Sequence, residues 1–187
     1  INKVTKEEIK DFSKIDTNAT VYRGDFSLTS YEWGVTYAAM LAASKATGDP
    51  RFAQYTTQRL NFLAELTPIV KAKFTVSSSM PLRQVIAPHA LDDCGAMSVS
   101  MIKAMRDGLL KDNIRPLIDN YLNYIYTKEY RLADGTLARN RPLKNTLWLD
   151  DMFMGVPALA QMGKLTGDKK YYDEAVKQIL QFSKRMF

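Results

Sequence analysis

Histidine and cysteine each occur once in this chain, as His89 and Cys94. A single thiol rules out an internal disulfide and any multi-cysteine zinc site. A Ser/His/Asp or Cys/His machine would have to use His89, and no nucleophile elbow or similar local signature accompanies it. No metal and no cofactor is expected. Apolar runs stay well short of the ~18 residues that a membrane span needs, because Lys, Asp or Gln interrupts them at helical spacing, so no membrane partner is expected. A dense basic block is also missing. The net charge of +6 favours polyanionic partners in general. Its lysines and arginines are scattered, however, which is the ordinary mark of a solvated surface, and no nucleic-acid partner is expected.

What is present is a chain of 187 residues, 46% hydrophobic, enough for one domain with a sizeable core. Its periodicity is helical. Thr5-Lys-Glu-Glu8 ahead of Ile9 and Phe12 has the form of a capping box and predicts a short first helix within an otherwise irregular lead-in of about 27 residues. From Tyr31, Val35, Ala38, Ala39, Ala42 and Ala43 recur at threes and fours until Gly48. Asp49 and Pro50 read as N-cap and first-turn proline of a second helix, which carries Leu60, Leu63 and Leu66 up to Thr67-Pro68. Phe74 to Pro81 reads as a mobile, turn-rich connection. Met97, Met101, Ile102 and Met105 mark a third helix face, closed by Asp107-Gly108, and Asp112 is expected to cap a fourth helix through Ile125. Asp134-Gly135 signals a hairpin with a type I′ turn. The last pair of helices runs from about Trp148 to Thr166 and from Asp168 onward, with Gly155 and Pro157 predicting a kink or a late start in the first.

A repeat organises these elements. Lys45-Ala-Thr-Gly-Asp-Pro-Arg-Phe52 and Lys164-Leu-Thr-Gly-Asp-Lys-Lys-Tyr171 nearly superpose, and Gly48, Gly108 and Gly167 lie 60 and 59 residues apart. The fold class read from this is all-α: three helical hairpins, each an inner helix, a glycine turn and an outer helix. Unusual residues lead into each inner helix, namely Tyr31-Glu-Trp-Gly34, Asp92-Asp-Cys-Gly95 and Trp148-Leu-Asp-Asp151. Stacked hairpins would set these three segments along one rim, where a shared site is expected. An acid at a helix start is either a cap, favoured by unpaired N–H groups and the dipole, or a reagent. The reagent reading for Asp150 rests on Trp148, Phe153 and two methionines, apolar surface that favours a protonated carboxyl and hence a proton donor.

Four ordered motifs sharpen this picture: Ser30-Tyr-Glu-Trp-Gly-Val35, Ala87-Pro-His-Ala-Leu-Asp-Asp-Cys-Gly95, Ala133-Asp-Gly-Thr-Leu-Ala-Arg139 and Thr146-Leu-Trp-Leu-Asp-Asp-Met-Phe-Met154. Together the sequence resembles the unsaturated rhamnogalacturonyl hydrolases of glycoside hydrolase family 105 and, more loosely, the unsaturated glucuronyl hydrolases of family 88, from about Phe26 onward. The resemblance implies an (α/α)6 barrel of six hairpins, of which this chain holds the N-terminal half and is alone expected to be weak or inactive. It also implies hydration of the C4=C5 double bond of a 4,5-unsaturated galacturonic acid at the non-reducing end of a pectin-derived oligosaccharide, in place of attack at the anomeric carbon.

Residue by residue, Asp150 matches the family's proton-donating aspartate, with Asp151 its nearest rival. The two point about 100° apart on a helix, so only one is expected to face the rim, the other being a cap or a helper. Asp93 matches a second active-site aspartate, while Asp92 is assigned no role. Tyr31 matches an aromatic at the sugar-binding subsite. Trp33 and Trp148 are either further sugar platforms or core. His89 either binds substrate or satisfies a neighbouring backbone group, and Arg139, like Arg141, either meets a carboxylate or is simply exposed. Met97, Met101 and Met105 are expected in the core, as is Cys94. The implied partner is an unsaturated acidic oligosaccharide, and the apolar edges of a half-barrel would favour a homodimer. Two other readings stand beside this one: a non-catalytic helical-repeat scaffold whose aspartates are caps, and another (α/α)6 carbohydrate enzyme.

Overall fold

A computed structural model describes residues 1–21, 24–77, 80 and 82–186. The expected mobile connection therefore falls partly outside the described residues, at Ser78, Ser79 and Pro81. Seven α-helices are present among the described residues: α1 Tyr31–Thr47, α2 Pro50–Lys73, α3 Arg83–Ile86, α4 Leu91–Arg106, α5 Arg115–Thr127, α6 Leu149–Thr166 and α7 Lys169–Met186. The hairpins are α1/α2, α4/α5 and α6/α7, with α1, α4 and α6 side by side as the inner row. Gly48, Gly108 and Gly167 all adopt the left-handed conformation, with φ of 72°, 73° and 75°. This is the chain reversal that glycine makes without a Cβ penalty.

α4 lies in the middle and is covered on both sides. Met97, Met101 and Ile102 are fully buried, as Leu60 is from α2, Ile118 and Tyr121 from α5, and Leu159 from α6. Met105 is only partly buried at the edge of this core. The inner helices meet backbone to backbone near their N-terminal ends. A Cβ on Gly95 would lie 2.2 Å from the Met154 carbonyl oxygen of α6, and one on Gly34 would lie 2.5 Å from the Ala96 carbonyl carbon of α4. Those two glycines set the spacing of the three segments that carry the rim residues.

Several local expectations give way to tertiary structure. The Thr5–Glu8 capping box nucleates no helix. Asn2 Oδ1 accepts from Val4 N and Thr5 N instead, and only the 3-10 turn Phe12–Lys14 forms in this region. α2 continues through Pro68 to Lys73. Its far end is held because Val70 is buried and Lys73 Nζ donates to the carbonyls of Ser13 and Ile15, so packing outweighs the one backbone bond that proline removes. Asp112 opens a 3-10 turn, Asp112–Ile114, and does not cap α5, which starts at Arg115-Pro116. The Asp134-Gly135 turn is not type I′, since only Gly135 has positive φ (86°). Gly135 N donates to Leu132 O (2.8 Å) and Leu132 N to Thr136 O (2.8 Å), closing a three-residue loop with a glycine bulge. α6 starts at Leu149, with no late start, and carries Pro157 in its interior.

Candidate active site

Asp93 on the first turn of α4 is engaged on both oxygens. Oδ1 accepts the Tyr31 backbone N–H (2.8 Å), which belongs to the first turn of α1, and Oδ2 accepts Gln84 Nε2 (3.1 Å). It thus acts as a cap supplied across the inner row. Gln84 is buried on α3 and also donates to Ala90 O (3.2 Å) and accepts from His89 N (3.0 Å), so a single amide orders the segment entering α4. α3 is itself tied to α5 by Asn120 Nδ2 donating to Val85 O (2.6 Å). Burial raises the proton affinity of Asp93, and the bond from Tyr31 N–H opposes that rise.

The centre of the rim is Arg139. Its backbone is fixed by a two-way bridge with Thr146, Arg139 N to Thr146 O at 2.8 Å and Thr146 N to Arg139 O at 3.2 Å. The hairpin leading to it is pinned to α7, where Gln178 Oε1 accepts from Leu137 N (2.8 Å) and Gln178 Nε2 donates to Gly135 O (2.9 Å). From this anchor the Arg139 side chain reaches three carboxylates. Nε donates to both oxygens of Asp151 (2.9 and 3.1 Å), while Nη2 donates to Asp92 Oδ1 (3.0 Å) and Asp150 Oδ2 (2.8 Å). The guanidinium carbon also sits 4.3 Å from the centre of the Trp148 ring, a cation–π contact.

A helical step separates Asp150, which is open at the rim, from Asp151, which is buried behind it, and the Arg139 side chain lies across both, so Asp151 takes the place of a helper that holds the arginine. Neither caps α6, whose N-cap Trp148 has no side-chain bond. The apolar setting expected for Asp150 is corrected: Phe153 is 61% exposed, and the neighbour of Asp150 is a guanidinium. The buried acid is Asp151, whose proton affinity is raised by burial, with Asp150 and Asp92 adding and Arg139 opposing. Asp92 is raised in the same way, by burial first and then by Asp150, again against Arg139.

Ligand atoms of Asp92, Asp150 and Asp151 lie within 4.8 Å of one another, a spacing able to hold a cation. The Arg139 guanidinium supplies that charge, so the donor set does not call for a metal. Beside it a polar cavity of about 270 Å³ is lined by His89, Asp92, Tyr124, Glu129, Arg139 and Arg141, among others. Burial raises the proton affinity of Glu129, whose carboxyl lies against the Tyr124 phenol. The larger cavity, about 530 Å³, lies between the lead-in and α2 around Phe12, Ile15, Val70 and Phe74, away from these acids.

Of the residues singled out from sequence, Asp150, Asp93, Tyr31, Trp148, Arg139 and His89 come to one rim. Tyr31 and Trp148 are partly exposed there, and His89 Nδ1 is near Ala87 O (3.3 Å). Trp33 does not join them. Its ring stacks on Tyr37 (5.5 Å) and lies under Arg59 of α2 (5.9 Å), so it is a packing residue between α1 and α2. Sequence reading gave no role to Gln84, Asp92, Tyr124 or Glu129. Only Asp92, adjacent to Asp93 in a motif, carried any signal. A family model, Glycosyl Hydrolase Family 88, matches residues 1–187. No curated protein matches the chain.

Proposed function

The chain belongs to Glycosyl Hydrolase Family 88, and from that membership we propose that it removes a 4,5-unsaturated uronic acid from the non-reducing end of an acidic oligosaccharide by hydrating the C4=C5 bond; the four motifs that resemble family 105 favour a galacturonic acid on a rhamnogalacturonan oligosaccharide. The bond is an enol ether. Asp150 gives a proton to C4, which leaves an oxocarbenium-like centre at C5; water adds there and returns a proton to Asp150. The resulting hemiketal opens and releases the next sugar as its free alcohol. One carboxyl can serve both transfers, so the paired acids of ordinary glycosidases are not required.

The observation that supports this reading best is the difference in access among the rim acids. Side-chain exposure is 45% for Asp150, 30% for Asp92 and 3% for Asp151, so Asp150 is the acid most open to an incoming sugar. Asp93, with both oxygens held by protein donors, supports the site by fixing α1 against α4. Tyr31 and Trp148 offer partly exposed rings to a sugar face. The test is the loss of ultraviolet absorbance when the alkene of an unsaturated galacturonyl-rhamnose is consumed. Asp150→Asn is expected to lower the rate by about 10²–10⁴-fold, the usual worth of a general acid. Release of reducing sugar from saturated substrates, with the alkene untouched, would favour a different carbohydrate enzyme.

A further inference from the structure

Resting on that reading, we propose that Arg139 is a positioning residue that exchanges partners during the reaction: the carboxylate of the bound uronate displaces Asp150 from the guanidinium and so frees Asp150 to take up the proton it delivers. Asp150 Oδ2 already accepts from Arg139 Nη2 (2.8 Å), so that oxygen can carry a proton to the substrate only once the pair separates.

The geometry says which bond yields. Asp151 is bound at both oxygens by Nε and is almost fully buried, so it anchors the guanidinium. Asp150 is held through one oxygen by Nη2 and is the most exposed of the three acids. Nη2 is shared with Asp92 and lies 2.8 Å from Asp151 Oδ1, while Nη1 makes no hydrogen bond among the described residues and keeps its donors for a further acceptor. An incoming carboxylate that takes Nη1 and the Nη2 donor given up by Asp150 makes a forked pair. Because Trp148 and Asp151 hold the guanidinium in place, the exchange needs Asp150 to move and Arg139 to stay. The charged groups around Asp150 are Arg139, Asp92 from α4 and Asp151 from its own helix, with Glu129 and Arg141 further along the cavity.

Calorimetric titration with saturated galacturonic acid and with its methyl ester, in buffers of different ionisation enthalpy at about pH 5.5, counts protons taken up on binding. The acid is expected to bind with net proton uptake and the ester without it. Asp150→Asn and Arg139→Gln should both abolish the uptake, and Arg139→Lys should restore part of it. Binding of the acid without proton uptake, or binding of neither ligand, overturns the exchange. In turnover, wild type is expected to prefer the unsaturated acid to its methyl ester on the order of 10- to 100-fold, the worth of one charge-assisted contact. In Arg139→Gln the two should fall within about threefold, and an unchanged preference overturns the proposal. Proton uptake without consumption of the alkene would leave the exchange standing and defeat the hydration reaction. Consumption without uptake does the reverse.

Discussion

Asp150 and Asp151 carry the same side chain one residue apart, and the rim separates them by what surrounds each. Asp151 is buried against Arg139, while Asp150 stands nearly half exposed beside the same guanidinium. Burial makes Asp151, Asp92 and Asp93 bind a proton more tightly in the folded state than in the unfolded chain. Their contribution to stability is thus complete below the ordinary carboxylate range and is lost as pH rises through the elevated folded values. Thermal melting followed between about pH 4 and pH 7 should show this decline, and Asp151→Asn should flatten it. A slope unchanged by the substitution would mean that Asp151 is ionised throughout that range. Arg139 was legible as a residue to meet a carboxylate, but nothing in Leu137-Ala-Arg139 says that a bridge to Thr146 and a glutamine from α7 will aim it at α4 and α6.

At the scale of elements, what was legible in the sequence was what is locally determined. Apolar spacing and left-handed glycines gave the three hairpins and most of their ends, because a helix and its glycine stop depend on a few neighbouring residues. The missed features depend on distant partners: α2 beyond Pro68 on the lead-in, α3 on Asn120, and the absent first helix on Asn2. Gly34 and Gly95 belonged to the recognised motifs, yet their reason is visible only where the inner helices touch. In Gly95→Ala the new methyl would meet Met154 backbone atoms at 2.2 and 2.8 Å, which cannot be relieved by a rotamer change. The two helices must part, at a cost of about 1–3 kcal/mol or more, and Asp150 and Asp92 are drawn out of common reach of Arg139. Gly24→Ala, with nothing within 4 Å of its Cβ, is the matching control and should be neutral. Denaturant melts of the two variants, read together with their alkene-consumption rates, check both halves of this expectation.

Over the whole molecule, the array of hairpins has two unlike ends. Beside α2 the lead-in folds over the helix, with Ile15 buried, Phe12 edge-on to Phe62 at 5.6 Å, and Lys73 tied back to Ser13 and Ile15. Beside α6 and α7 no such cover lies, among the described residues, over Val176, Ile179 and Leu180, of which Leu180 is 65% exposed, and Leu149 and Phe153 are exposed on α6. Helical repeats bury a continuous core only where each has a neighbour, so the uncovered end is the one that gains by association. This chain is accordingly expected to self-associate through α7 at micromolar concentrations, with a sedimentation coefficient that rises with concentration. Leu180→Glu places a charge in the middle of the apolar face and should hold the chain at monomer mass. Its melting temperature should stay within a degree or two, because an exposed side chain contributes little to the fold itself. A variant that still associates would assign the contact to another surface, and one that melts well below wild type would show that Leu180 is covered within the monomer.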